Sequence, residues 1–134
     1  MVNRGPDWMR QAGRDLEQAE DSRAADRHEW ACFAAHQAAQ KAVKALHLHL
    51  GQEAWGHLVA RLLTELPDKA EAPPELVDRA KILDNYYIPA RYPNGHPEGA
   101  PFEHYGRLQS EGAIEHARAV LGFATAAVAG RPKR

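Results

Sequence analysis

Arg91 and His96, separated by four residues in a proline-rich stretch, form the most chemically capable pair in this chain. Residues 84–96 read Asp-Asn-Tyr-Tyr-Ile-Pro-Ala-Arg-Tyr-Pro-Asn-Gly-His. Histidine titrates near neutrality, so it can take a proton from a ribose 2′-hydroxyl or give one to a leaving oxygen. A guanidinium offers a fixed bidentate fork to the phosphorane that forms between those steps. One arginine and one histidine are the minimum for half of a metal-independent RNA-cleaving site. On spacing alone, the plainer reading is a loop arginine paired with a core carboxylate such as Asp84. Lys41, Lys44, His57 and Tyr92 are candidates to hold phosphate and stack a base beside the pair. The plainer reading of the two lysines is a solvated helix flank. For His57 it is a neutral, hydrogen-bonded imidazole at a helix start.

Prolines at 89, 93, 97 and 101 recur once per would-be helical turn. Each removes a backbone donor and biases the preceding residue out of the α region. Residues 89–101 are therefore expected to form an ordered loop. Tyr87, Ile88 and Tyr92 are its expected apolar anchors, and Gly95 lets the backbone turn between Arg91 and His96.

The elements around this loop read as helices. Trp8, Ala12, Leu16 and Ala19 mark one face of a first helix over residues 7–23, with Asp7 as its N-cap. Asp26 and Glu29 resemble a capping box opening a second helix that runs to Leu50 and stops at Gly51. On that helix Ala31, Ala35, Ala38, Ala42 and Ala45 form a small-residue stripe that another helix can approach closely. A third helix is expected over residues 56–66, closed by Pro67. A fourth opens at Pro73-Pro74-Glu75 and buries Leu76, Ala80, Leu83 and Tyr87. The last covers residues 103–129, and Arg131-Pro132-Lys133-Arg134 is a basic tail expected to fray. No period-two stretch points to a strand. The fold class is all-α: an up-and-down bundle of about five helices, in antiparallel succession, with one proline-rich ordered loop. One domain accounts for residues 1–134, its core at about 7–129.

Composition narrows the functions. The chain is 44% hydrophobic and 26% charged with a net charge of −1. That balance disfavours a duplex-coating or sequence-specific DNA-binding module. No apolar run has the length a bilayer needs, and no signal peptide opens the chain. The single cysteine, Cys32, fits a reducing cytoplasm. Among the eight histidines, His47 and His49 lie two apart and point to different helix faces. No His-Glu-x-x-His pattern is present, so neither a metal site nor another cofactor is expected. Ser22 and Ser110 lack the turn motif of a serine nucleophile.

Three segments together resemble the HEPN domain family. They are Gln37-Ala38-Ala39-Gln40-Lys41-Ala42-Val43-Lys44-Ala45-Leu46, then His57-Leu58 with Leu62-Leu63, then Leu83 to Asn94 with its Tyr-Tyr-Ile-Pro-Ala-Arg-Tyr-Pro core. The resemblance covers the chain from Trp8 to the last helix. It implies a helical bundle that commonly forms homodimers, and Arg91 with His96 as the family's Arg-x4-His pair. It implies a toxin-like, metal-independent ribonuclease paired with a minimal nucleotidyltransferase protein. The alternative is a non-catalytic nucleotide-binding subunit of a nucleotidyltransferase complex. Nucleotide or single-stranded RNA is the ligand expected in either case.

Overall fold

The computed structural model describes residues 2–130, and among them it contains α-helices, short 3-10 turns and no strand. The helices are α1 (Gly5–Ala24), α2 (His28–His49), α3 (Val59–Thr64), α4 (Pro74–Asp84) and α5 (Arg107–Val128). The expected bundle of about five helices is the fold observed. No helix among the described residues is long and apolar enough to cross a membrane. The basic tail at 131–134 lies outside the described residues.

α2 is the central element, packing most extensively on α1 and α5 and also touching α3 and α4. Its alanine stripe is the reason. Ala31, Ala35, Ala38, Ala42 and Ala45 are all 0–2% exposed, and Ala35 and Ala42 share one core cluster with buried Ala12 and Ala19 of α1 and Ala113, Ala117 and Ala124 of α5. Small side chains bring the helix axes close, and larger ones (Leu46, Leu62, Leu63, Leu83 and Ile114) fill the remaining core. Each such leucine contributes about 1.5–3 kcal/mol by leaving water. The stripe is thus buried within the chain. α1 and α2 run antiparallel, because the Asn3 side-chain amide near the start of α1 donates to the Leu48 carbonyl near the end of α2 at 2.8 Å.

The helix starts differ from the expectations. α1 begins at Gly5 with Pro6 in its first turn, so Asp7 lies inside the helix and not at its cap. There it pairs with Arg4 and Arg10, and the Arg4 hydrogen bond holds its carboxyl below the usual carboxylate range. α2 begins at His28 without the capping box. Asp26 takes a left-handed conformation, φ 60°, in the tight connection and pairs with Arg107 at 3.0 Å. α5 starts at Arg107, later than expected, because Pro101–Glu103 forms a 3-10 turn and Gly106 follows as N-cap.

α3 is short because the segment before it runs back along α2. The His57 carbonyl accepts from buried His36 at 2.9 Å, and the Leu62 carbonyl accepts from His47 at 2.8 Å. The helix then opens under a remote cap. The Asp84 carboxylate accepts from the Val59 and Ala60 amides at 2.7 and 3.1 Å, and from His36 Nε2 at 3.2 Å. One side chain at the end of α4 therefore satisfies two orphan donors of α3 and ties both helices to α2. Because α4 ends there, Tyr87 belongs to the following turn and not to the buried face of α4.

The proline loop is ordered by its own turns. The Ile88 carbonyl accepts from the Arg91 and Tyr92 amides, and the Pro93 carbonyl from the His96 amide. Its buried anchor is Ala90, at 1% exposure, whereas Ile88 and Tyr92 remain exposed. Gly95 is needed for space, not for turning. A Cβ there would sit 2.8 Å from the Pro89 Cα.

Candidate functional site

Arg91 is held by aromatic rings. Its Nε–H donates to the Tyr87 carbonyl at 2.8 Å. The guanidinium carbon lies 4.4 Å from the Phe33 ring centroid, 4.7 Å from Tyr87 and 5.1 Å from Tyr92. These are attractive cation–π distances. No carboxylate among the described residues pairs with Arg91. Asp84 is already committed to α2 and α3, so the alternative Arg91–Asp84 pair does not form. The planar fork of Arg91 is fixed at one edge, while its terminal nitrogens bond to no described residue. His57 joins the same cluster by stacking on Tyr87 at 3.9 Å and 11°. Trp30 meets Phe33 edge-on at 6.2 Å.

His96 sits in a second, adjacent cluster. Its Nε2–H donates to the Pro89 carbonyl at 2.6 Å. A carbonyl only accepts, so Nε2 carries the proton and Nδ1 holds the lone pair of the neutral ring. Nδ1 bonds to no described residue, and no buried side-chain nitrogen or oxygen among them lacks a partner, so solvent reaches Nδ1. The His96 ring stacks on His104 at 4.2 Å and 2°, with Tyr105 edge-on at 5.8 Å. His104 repeats the anchoring, its Nε2–H donating to the Glu98 carbonyl at 2.6 Å. Tyr86 packs edge-on against Tyr105 at 5.8 Å. Burial, the largest cause, pushes the Tyr105 phenol up to about 12 and raises that of Tyr86. Tyr86 and Tyr87, neighbours in sequence, thus organise two clusters. Arg91 lies in one and His96 in the other, joined by a few residues of loop.

The structure brings Arg91, His57 and Tyr92 together and leaves the two lysines apart from them. Lys41 forms an ion pair with Asp15 of α1. Lys44 lies over the Trp8 ring at 5.7 Å, where burial lowers its pKa. Both are partnered on the α1 side of α2. A groove of about 510 Å³ between α1 and α2 has Lys41, Arg27, Gln37, Trp30 and Phe33 in its lining. Phe33 is therefore shared between this groove and the Arg91 cluster.

Phe33 and His104 join these clusters without having been singled out from sequence, whereas Tyr87 was expected as a loop anchor. Phe33 reads as one more apolar residue on an alanine-rich helix. His104 lies eight residues beyond His96, on what reads as the start of the last helix. The nearest signal was the density of aromatic and histidine residues between Tyr86 and Tyr105.

The HEPN domain profile matches residues 6–127, nearly the whole bundle. The chain is a HEPN-domain protein. Its fold is similar to the crystal structure of TT1696 from Thermus thermophilus, with a TM-score of 0.91 and 48% identity, covering 92% of this chain and 98% of that one. ST0689, described as an archaeal HEPN homologue, aligns with a TM-score of 0.82 and 36% identity over 95% of this chain and 99% of that one. A HEPN domain protein from Thermotoga maritima, tm0613, aligns with a TM-score of 0.75 and 34% identity over 91% and 97% of the two chains. No protein of curated function matches the chain. Arg91, His96 and the clusters around them all lie within the HEPN match.

Proposed function

We propose that this HEPN protein is a metal-independent ribonuclease acting on single-stranded RNA at the Arg91–His96 loop. One observation carries the reading. Each of the two groups is fixed by a loop carbonyl, Tyr87 for Arg91 and Pro89 for His96, while its remaining nitrogens lack protein partners among the described residues. Such a guanidinium is preorganised for a phosphate and has no internal carboxylate to release first. Such an imidazole offers Nδ1 for proton transfer. Looped or single-stranded RNA has the flexibility to place its 2′-hydroxyl in line with the leaving oxygen. The test is cleavage by the purified chain in excess chelator, with the products analysed for a 2′,3′-cyclic phosphate. His96→Ala should abolish it, and expression in a bacterial host should arrest growth only with His96 intact. No cleavage of any RNA would end this reading.

The family resemblance extends the proposal to a homodimer in the cytoplasm and to a nucleotidyltransferase partner. With the alanine stripe of α2 buried, a dimer is supported by that resemblance and by the single Arg91 per chain, which a second copy would double. Sedimentation as a monomer at tens of micromolar would count against it.

A second reading, a non-catalytic nucleotide-binding subunit, is favoured by the rings themselves. Tyr92 and Trp30 are about half exposed beside the Arg91 cluster and could stack a base next to a phosphate on Arg91. Nucleotide binding lost in Arg91→Ala, without cleavage of any RNA by the wild type, selects this reading.

A further inference from the structure

We infer that His104 is a second catalytic residue, acting with His96 as an acid–base couple inside one chain. The inference rests on the ribonuclease reading and goes beyond its single arginine–histidine pair. Cleavage through a 2′-hydroxyl requires two proton transfers on opposite sides of phosphorus. One group removes the 2′-OH proton as the O2′–P bond forms. Another gives a proton to O5′ as the P–O5′ bond breaks, leaving a 2′,3′-cyclic phosphate and a 5′-hydroxyl. After one turnover the base has gained a proton and the acid has lost one, and exchange with water restores both. A lone histidine can serve only one of these transfers at a time.

The fold places a second imidazole against the first. The His96 and His104 rings are parallel within 2° at 4.2 Å. The stack holds the two imidazoles side by side, within reach of one phosphodiester. Both rings are anchored in the same way, Nε2–H to a loop carbonyl at 2.6 Å. Each therefore keeps Nδ1 as its exchanging nitrogen, and neither Nδ1 bonds to a described residue. His104 is exposed, as a group meeting substrate must be.

The architecture around His104 preserves this arrangement. Gly99 adopts φ 81°, and a Cβ there would lie 3.0 Å from His104 Nε2 and 3.3 Å from Glu103 Oε1. The Glu103 carboxylate accepts from the Ala100 amide at 2.9 Å, closing the turn that carries the Glu98 carbonyl toward His104. The ionisable groups around the pair are Glu98 and Glu103 from the loop and the phenols of Tyr86 and Tyr105. Both phenols are raised by burial, so neither supplies a limb of a pH profile between 5 and 9.

The experiment measures cleavage of a single-stranded oligoribonucleotide from pH 5 to 9 by the full chain, with His96→Gln, His104→Gln and His104→Phe. Phenylalanine keeps an aromatic ring on His96 but has no proton to exchange. Wild type should give a bell-shaped profile, and each glutamine variant should lose a different limb. His104→Phe should be slowed about 100-fold or more, the lower range of general acid–base contributions. A second substrate with sulfur in place of O5′ has a leaving group that needs no acid. It should restore the rate in one of the two glutamine variants and not in the other. A His104→Phe protein with the wild-type rate and both limbs would reduce His104 to a stacking support and overturn the inference. Failure of the wild type to cut RNA would overturn the ribonuclease reading itself, so the two failures are distinct.

Discussion

Lys41 on α2 and Arg91 on the loop packed against α2 are both cations, and their surroundings differ in kind. Lys41 meets a carboxylate, Asp15, and is neutralised within the fold. Arg91 meets Phe33, Tyr87 and Tyr92 and keeps its charge. An ion pair cancels the field that a ligand would feel, whereas ring quadrupoles hold a cation in place without adding an opposite charge. The availability of a basic side chain is therefore set by what holds it. The lysine is committed within the fold, and the terminal nitrogens of the arginine bond to no described residue.

The largest expected effect tests that contrast directly. Arg91→Lys keeps the charge but loses the planar fork, and RNA cleavage should fall about 100-fold, the scale of removing one oriented donor to a developing oxyanion. Lys41→Ala should change the rate less than about threefold, since its ammonium is already committed to Asp15 and a partly exposed pair of this kind is worth little. Equal losses in the two variants, measured as kcat/KM, would break the comparison.

Next come the carboxylates. Asp84 receives three hydrogen bonds from two other elements and its side chain is 12% exposed. Asp84→Ala should cost about 3 kcal/mol in urea unfolding, because two backbone donors lose a charged acceptor. Asp15→Ala should cost less than about 1 kcal/mol, the range of partly exposed ion pairs. A larger loss at Asp15 than at Asp84 would reverse this ranking.

A third cation sharpens the comparison through pH. Arg79 Nη1 donates to His116 Nδ1 at 3.0 Å, so the imidazole there is neutral. Burial first, then the Arg79 charge, lowers the His116 pKa below its ordinary 6.5. The unfolded chain therefore binds this proton more readily than the folded one. The stability contribution is full above pH 6.5 and is lost as pH falls from there toward the depressed folded value. His116→Gln should flatten that part of the pH–stability curve. An unchanged curve would show that neither burial nor Arg79 disfavours the protonated ring.

The smallest expected effect is none at all. Cys32, one residue before Phe33 on α2, is fully buried, and burial pushes its thiol up to about 12. Alkylating reagent should leave it unmodified in the native protein and modify it once urea unfolds the chain. Rapid native labelling would mean that α2 is less tightly packed beside the Arg91 cluster than the structure implies.

The bundle was legible in sequence because helix periodicity and the alanine stripe are local signals. The ends of the helices were less so. Asp7 and Asp26 have cap-type side chains, yet Pro6 pulls the first helix earlier and the left-handed turn at Asp26 delays the second. The cap of α3 was beyond reach, since Asp84 lies 25 residues from Val59. At the site, Arg91 and His96 stood out by residue type. Their environments did not, because the rings of Phe33 and Tyr87 reach Arg91 only after α2 and the loop pack together. His104 meets His96 only through the loop's closure.

That closure has a consequence for chain length. With Gly95 lying against Pro89, the interval between Arg91 and His96 measures a folded-back loop and not a turn of helix. It works as a gauge. One residue inserted or deleted between them would bring a side chain to the position where a hydrogen now touches the proline. Arg91 and His96 would then drift apart together with their carbonyl anchors, even though both residues were still present.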